Sequence, residues 1–352
     1  VMTPLYIDRL AAPYLKWEKT TSYNVGLDFA FFGSRLTGSF DYYFKNTTDM
    51  IMAQRLPSFS GFGSILANLG EVHNSGFELS LNSTNIQTKD FKWTTAAGIS
   101  LNKNKIIHIY YGYDENGVER DDSSNGWFIG KAANEIWYYE TDGVWQNTPE
   151  DIKQAALVGQ KPGDPKVVNN YTEDDKILSD GTRVPVYNDK DKTFLGPQTP
   201  PIYWNMRNDF EWKDFTFAFS LYSYMGHKSL SGNWLNQDNG GSQVTNCFNM
   251  PDKKYWTPDN PTNDYCRLDA KGPNTGLAGG VSKLYNRSFL RLDNISVGYT
   301  LPREMTRKFM VDRIHLTFSC NNVFTISGWE YGDPETGGFA TRTFNFGVNV
   351  TL

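Results

Sequence analysis

The chain has 352 residues, with 34 Lys and Arg against 39 Asp and Glu, a net charge of −5, and an aromatic content of 15%. No run of about 18 apolar residues occurs, which excludes a helical membrane span, and the acidic balance with scattered Lys and Arg argues against nucleic-acid binding. A soluble protein of this length would hold about two domains. Abundant Phe, Tyr and Trp under a negative mean hydropathy are typical of strands with one polar and one apolar face.

Apolar and polar residues alternate strictly along most of the chain, which predicts β-strands. In the first strand Tyr23, Val25, Leu27, Phe29 and Phe31 share one face. The same period recurs in eight further segments, around residues 36–44, 77–82, 91–101, 204–212, 215–221, 290–299, 314–318 and 344–352. A phase slip at residues 293–294 predicts a bulge. No segment shows helical periodicity of comparable strength, so the fold is all-β.

The predicted connections alternate between short and long. The short ones cover residues 32–34, 85–90, 211–214 and 301–312, and the long ones cover 47–74, 106–202, 227–286 and 326–341. This alternation is typical of an antiparallel transmembrane β-barrel with short periplasmic turns and long extracellular loops. A β-sandwich is the alternative, although it has less reason to keep the two loop sizes at opposite ends.

About nine spanning strands are predicted, whereas single-chain bacterial barrels have an even number. A hairpin within IWYYETDGVW would add two strands, and the number of strands would still be odd. The start VMTPLYIDRL carries no signal peptide. We therefore expect residues 1–352 to be the C-terminal portion of a larger, incomplete barrel.

The last strand, NFGVNVTL, indicates a barrel-insertion signal. It places polar Asn345 and Gly347 before apolar Val350 and the final Leu352. Outer-membrane barrels commonly end in such a strand, although the terminal residue is usually aromatic. The alternative is an ordinary amphipathic edge strand that happens to be last.

Several segments resemble SusC/RagA-type TonB-linked outer-membrane proteins, in the same order as in that family. They are LKWEKTTSYNVGLDFAFFGSRLTGSFDYYFKNTTDMI, LGEVHNSGFELSL, YWTPDNPTNDY, SFLRLDNISVGYTLP and NNVFTISGW, together with the last strand. The resemblance implies a 22-stranded barrel with a preceding plug domain, energised by the TonB system through an N-terminal region absent here. It also implies a SusD-like surface lipoprotein as partner, and import of oligosaccharide or peptide fragments.

The facing of the strands predicts two surfaces. Polar residues are expected to line the lumen because a charge facing lipid is costly; these are Asn24, Asp28, Asp41, Glu78, Asn82, Thr94 and Asn349. Rings near strand ends are expected to form interfacial girdles in outer-membrane lipid; these are Tyr42, Tyr43, Trp93, Trp204, Trp212, Tyr222, Tyr224 and Tyr299. In a soluble sandwich the polar residues would face solvent and the rings would form the core.

Loop aromatics are the candidate ligand contacts. Trp127, Trp234 and Trp256 stand in predicted loops, where rings stack on sugars or pack against a partner. The alternative is that they only tie the loops together.

No cofactor or metal site is expected. The stretch EDDKILSDGTRVPVYNDKDKTFLGPQTPP is acidic, but it lacks the ligand ladder of a calcium loop and is alternatively a solvated loop. Cys247 and Cys266 are candidates for a bridge in an oxidising compartment, with free thiols as the alternative.

No catalytic motif is present, since the four His are dispersed and no G-x-S-x-G, H-E-x-x-H or phosphate loop occurs. The sequence predicts part of a TonB-dependent importer of glycan or peptide oligomers in the cell outer membrane. The alternatives are a secreted or surface carbohydrate-binding β-sandwich and, third, a glycan-degrading enzyme of all-β fold.

Overall fold

The computed structural model describes residues 10–110, 112–235, 237–238, 241–242 and 253–351. The strands are β1 (Lys19–Phe31), β2 (Leu36–Arg55), β3 (Ser64–Gln87), β4 (Phe91–His108), β5 (Glu135–Tyr139), β6 (Thr141–Val144), β7 (Pro165–Val167), β8 (Lys176–Ile177), β9 (Arg183–Val184), β10 (Lys192–Pro197), β11 (Ile202–Trp212), β12 (Phe215–Met225), β13 (Lys228–Ser231), β14 (Gln237–Asp238), β15 (Gly241–Ser242), β16 (Lys283–Asn286), β17 (Phe289–Thr300), β18 (Arg313–Ser327) and β19 (Thr343–Thr351). The helices are α1 (Pro149–Leu157) and α2 (Arg303–Thr306). None of the helices in the described residues is long and apolar enough to cross a membrane.

Nine strands form one antiparallel sheet in the order β1-β2-β3-β4-β11-β12-β17-β18-β19. Every strand pairs with the next of the nine along the chain, as in an up-and-down barrel wall, and β1 and β19 are the two edges. The predicted all-β barrel portion and its nine strands are confirmed. A sandwich would need two packed sheets of comparable size, and the other sheets in the described residues have two strands each. The sandwich alternative is therefore wrong.

The predicted bulge at residues 293–294 is confirmed, since the register of β17 against β18 shifts between Leu292 and Asn294. The prediction of a long connection at 47–74 is wrong. β2 and β3 continue past these limits and are joined by residues 56–63 alone. The register of this hairpin shifts on both sides of Met50. Because each bulge reverses the facing of later side chains, alternation disappears from the sequence while the ladder continues.

The chain forms two compact units. The first, residues 1–135, 199–227 and 287–352, contains the nine-stranded sheet, and the second consists of residues 136–198 and 228–286. The second unit has its own core, in which Trp234, Trp256, Tyr187 and Val158 are buried together.

The hairpin considered within IWYYETDGVW does not form. β5 pairs with β10, and β6 pairs with β7, so neither strand joins the nine-stranded sheet. Residues 136–144 instead belong to the second unit and contribute Tyr139 and Val144 to its core.

Candidate transport wall and its loops

The nine-stranded sheet has one apolar and one polar face. Cross-strand register places Leu27 beside Phe40, Phe40 beside Leu79, and Leu79 beside Ile99. The apolar row continues through Trp204, and in later strands Phe217, Val297, Phe318 and Phe346 are successive neighbours. Apolar side chains thus form a band that crosses all nine strands. We call this side the apolar face and the other the polar face.

All seven residues predicted to line a lumen lie on the polar face. Asp41 is the register partner of Glu78, Thr94 is that of Asp209, and Asn349 is that of His315. Side chains an even number of residues apart in a strand share a face. By this rule and the register, Asn24 and Asp28 of β1 and Asn82 of β3 also lie on the polar face. The polar face also carries ion pairs, with Arg207 Nη2 2.7 Å from Asp209 Oδ1 and Lys92 Nζ 3.5 Å from Glu211 Oε1.

A buried charge cluster anchors the β18–β19 loop, residues 328–342, to the polar face. Arg291 of β17 pairs with Asp333 and lies 3.3 Å from Glu335 Oε2, while its Nε donates to Thr325 Oγ1 at 3.1 Å. Tyr222 of β12 donates its hydroxyl to Glu335 Oε2 at 2.6 Å. The loop is therefore held by side chains from two neighbouring strands, and Thr325 of β18 orients one of them.

Asp333 also organises its own loop. Its Oδ1 accepts the amides of Glu335 and Thr336, each at 2.9 Å. Burial alone would raise the pKa of Asp333, but these amides together with Arg291 outweigh it and hold the pKa below its ordinary value. Sequence reasoning missed this cluster. The D-P-E-T-G-G run predicts the turn around Asp333, but nothing in it identifies Arg291 as the partner.

The predicted aromatic girdle divides between the two faces. Tyr42, Trp93, Trp204, Trp212 and Tyr299 lie on the apolar face, as expected for rings at a lipid boundary. This prediction is wrong for three others, which lie on the polar face: Tyr43, Tyr222 and Tyr224.

These three rings make contacts on the polar face. The Tyr43 ring covers Gly76, where an added Cβ would stand 2.6 Å from the phenolic oxygen. The Tyr222 ring lies 5.6 Å from the Arg291 guanidinium, and the Tyr224 ring lies 5.2 Å from that of Tyr203, its register partner. The girdle prediction fails for these three rings because a ring near a strand end still follows the alternation of its strand, which here places it on the polar face.

Two of the three candidate ligand-contacting tryptophans are buried. Trp234 is 0% exposed and donates its indole N–H to the Val281 carbonyl, and Trp256 is 7% exposed and donates to Gln146 Oε1. Both rings pack in the core of the second unit, so their faces are not available to a ligand in this structure. Trp127 lies in the first unit and is half-buried.

The acidic loop binds its own chain. Lys190 donates to Asp174 at 2.9 Å and lowers the pKa of that carboxyl. Asp191 accepts the amides of Tyr171 and Asn188, and Asp175 accepts that of Val186. Within the described part of the chain, no group of three or more His, Cys, Asp or Glu residues could hold a metal ion. Cys247, the other half of the considered bridge with Cys266, lies outside the described residues.

The last strand continues the two-faced pattern. Asn345 and Gly347 lie opposite Ser319 and Thr317 on the polar face, and Val350 lies opposite Ile314 on the apolar face. Leu352, the fourth residue of the predicted insertion signal, lies outside the described residues.

Comparison with known proteins identifies relatives along nearly the whole chain. The family described as TonB dependent receptor-like, beta-barrel matches residues 3–323. TonB-dependent receptor P3 of Formosa agariphila is 31% identical over 91% of this chain and 31% of its own length. TonB-dependent receptor SusC of Bacteroides thetaiotaomicron is 29% identical over 91% of this chain and 30% of its own length.

Among solved structures, that of the RagAB peptide transporter is similar with a TM-score of 0.71 and 24% identity. It covers 98% of this chain and 36% of the transporter chain, so the likeness extends to the fold of both units. The chain spans about a third of the length of each of these relatives.

Proposed function

The chain belongs to the TonB-dependent receptor-like β-barrel family, and we propose that its sheet is part of a barrel wall through which glycan or peptide oligomers are imported. Proteins of this family are outer-membrane receptors and transporters and are not enzymes. The expected outer-membrane location is thereby confirmed, and the reading as a glycan-degrading enzyme is wrong. We assign residues 1–352 to the C-terminal part of the barrel.

The two-faced sheet carries the proposal. A Lys or Arg that faces the bilayer midplane costs about 2–4 kcal/mol, and the polar face carries Arg207, Lys92 and Arg291. The apolar face instead presents exposed rings and aliphatic chains, such as Phe217, Val297, Phe318 and Phe346. The apolar face therefore suits lipid, and the polar face suits a water-filled path for a hydrophilic oligomer.

The substrate class and the partners complete the proposal. The named relatives include SusC and the RagAB peptide transporter, which supports an oligomeric nutrient as cargo, a SusD-like surface lipoprotein as lid, and energy from the TonB system delivered through parts of the protein outside these 352 residues. The cargo moves without a chemical change. We further propose that β19, with Asn345, Gly347 and Val350 correctly alternated, is the segment read by the insertion machinery.

Uptake by living cells tests this function. The gene would be deleted and restored on a plasmid, and the cells would be given labelled oligosaccharide and peptide mixtures separately. We expect one cargo class to be taken up only by the restored strain, and not when TonB is inactivated. Equal uptake of both classes by deleted and restored strains would contradict the proposal. An affinity tag on the complete gene product is expected to recover a surface lipoprotein.

A further inference from the structure

A groove on the apolar face interrupts the otherwise continuous band of large side chains. It has a volume of about 440 Å³ and is lined by residues of β2, β3, β4, β11 and β12. Small Ala97 lines it, between Leu81 on one side and Met206 on the other in the register. Phe210 and Phe219 form one wall. All of these strands belong to the first unit and pair with each other, so the groove is complete within this chain.

The groove contains a polar cluster between Ala97 and the short turns, which is unusual for a face exposed to hydrocarbon. Asn208, 5% exposed, accepts the Trp93 indole N–H at 2.9 Å and the Thr95 hydroxyl at 2.7 Å through its Oδ1. Asn85 donates to Thr95 Oγ1 at 2.7 Å and accepts the Ser83 hydroxyl at 2.8 Å. The Asn208 amide nitrogen donates to no other residue in the described ranges. A polar group in an apolar surrounding is stable when it is hydrogen-bonded, so an acceptor beside this nitrogen would complete the cluster.

A cation stands next to this polar cluster. Arg35 precedes Leu36, which lines the groove, and its Nη2 donates to the carbonyl of Asn85, another lining residue, at 2.8 Å. The Arg35 side chain also donates to the Thr84 carbonyl. Its partners are neutral, and no carboxylate among the residues that the structure describes forms an ion pair with it. The guanidinium is therefore fixed in position and retains its full charge.

The position of this cluster along the barrel is defined by the connections. The turns at residues 32–35 and 88–90 are short, and in outer-membrane barrels the short turns lie on the periplasmic side. Arg35, in the first of these turns, thus places the adjoining part of the polar cluster towards the inner boundary of the bilayer, where lipid headgroups are found.

We propose that this groove is a binding site for one anionic phospholipid of the membrane. The acyl chain lies over Ala97 between Met206 and the Phe210 and Phe219 rings, an ester carbonyl accepts the Asn208 amide, and the phosphate pairs with Arg35. Basic side chains at a membrane boundary recognise anionic headgroups through charge, and the apolar groove adds shape. The proposal is independent of the cargo, because every residue it uses lies on the apolar face or on the turn beside it.

Lipid retention by the purified protein tests the site. The complete gene product would be extracted from outer membranes in mild detergent, and bound phospholipid would be counted by native mass spectrometry. Two substitutions address the two parts of the site, Arg35→Gln for the phosphate and Ala97→Leu for the acyl chain. Each has a matched control: Arg307→Gln changes another exposed Arg in a connection at the same end of the sheet, and Ala96→Leu makes the same enlargement on the polar face.

We expect one retained phospholipid per protein in the unaltered chain and both controls. A lost charge-assisted hydrogen bond lowers affinity about tenfold, so Arg35→Gln should reduce retention of anionic lipid. Retention of zwitterionic lipid should fall less, because the cationic group of that headgroup already compensates its phosphate. Ala97→Leu should reduce both. Heat-modifiable migration shows whether each variant forms a folded barrel. If Ala97→Leu does not fold, the proposal is tested by the ratio of anionic to zwitterionic lipid retained by Arg35→Gln. The same lipid complement in Arg35→Gln as in Arg307→Gln would overturn the proposal, whether or not import is affected.

Discussion

Arg291 of β17 and Asp333 of the β18–β19 loop form an ion pair that is buried on the polar face, with the two side chains 9% and 2% exposed. Thr325 and Tyr222, from the strands on either side of β17, hydrogen-bond Arg291 and its second carboxylate neighbour Glu335. A loop between two strands at the edge of the sheet is therefore fixed to the third and fourth strands from that edge. The pair sets where this loop lies on the polar face.

Asp333→Ala should release the loop and destabilise the barrel. Breaking one partner of a buried ion pair leaves an uncompensated charge and costs about 3–5 kcal/mol. The free energy of unfolding of the complete gene product in detergent, measured by denaturant titration, checks this value, and limited proteolysis locates the released loop.

Arg207→Ala is the matched control for this change. Arg207 and Asp209 also pair on the polar face, but their side chains are 54% and 38% exposed. Exposed pairs contribute at most about 1 kcal/mol. A similar loss of stability in Arg207→Ala and Asp333→Ala would show that burial of the Arg291 pair is unimportant.

Acid should weaken the same anchor. The pKa of Asp333 is lowered in the folded chain, so its contribution to stability is fully present above the ordinary value of about 3.9 and is lost as pH falls through the folded pKa. The thermal midpoint of the wild type should therefore exceed that of Asp333→Asn at neutral pH, and the difference should shrink below about pH 4. A difference that stays constant with pH would contradict this mechanism.

The tryptophans of the loops should differ in their roles. Trp234 is fully buried in the core of the second unit, and removal of such a ring costs about 3–5 kcal/mol. Trp234→Ala should thus lose protease resistance within residues 253–286, measured by mass spectrometry of the fragments. Trp127→Ala, at a half-buried ring, should keep that resistance. Reduced cargo binding by folded Trp127→Ala would support the ligand contact expected from the sequence.

Alternation of side chains was enough to predict the wall. The set Phe215, Phe217, Phe219 and Leu221 defines one face of β12, and cross-strand register confirms it. The same parity places Tyr222 and Tyr224 on the other face, so their assignment to a lipid girdle could have been avoided. The alternation did not predict the part of the β2–β3 hairpin beyond Met50, because the bulges around this residue change, within a few residues, the face on which the side chains lie.

The anchored loop and the buried tryptophans lay beyond sequence reasoning. Arg291 and Asp333 are distant along the chain, and their contact follows from how the β18–β19 loop folds back over β17. Trp234 and Trp256 stand among Gly, Asn and Pro residues typical of exposed loops, yet two separate segments pack into one core around them. Burial produced by segments far apart in sequence leaves no local pattern to read.

Two adjacent residues of β17 offer a direct test of which face meets lipid. Val297 lies between Phe217 and Phe318 on the apolar face, and Ser296 lies between Ala218 and Ser319 on the polar face. Val297→Lys should cost about 2–4 kcal/mol if it faces the bilayer midplane, whereas a lumen substitution should cost little. We therefore expect Val297→Lys to lower the amount of folded protein in the outer membrane, measured by heat-modifiable migration. Ser296→Lys should leave that amount near the wild-type level, and the reverse order would mean that the two faces have been assigned the wrong way round.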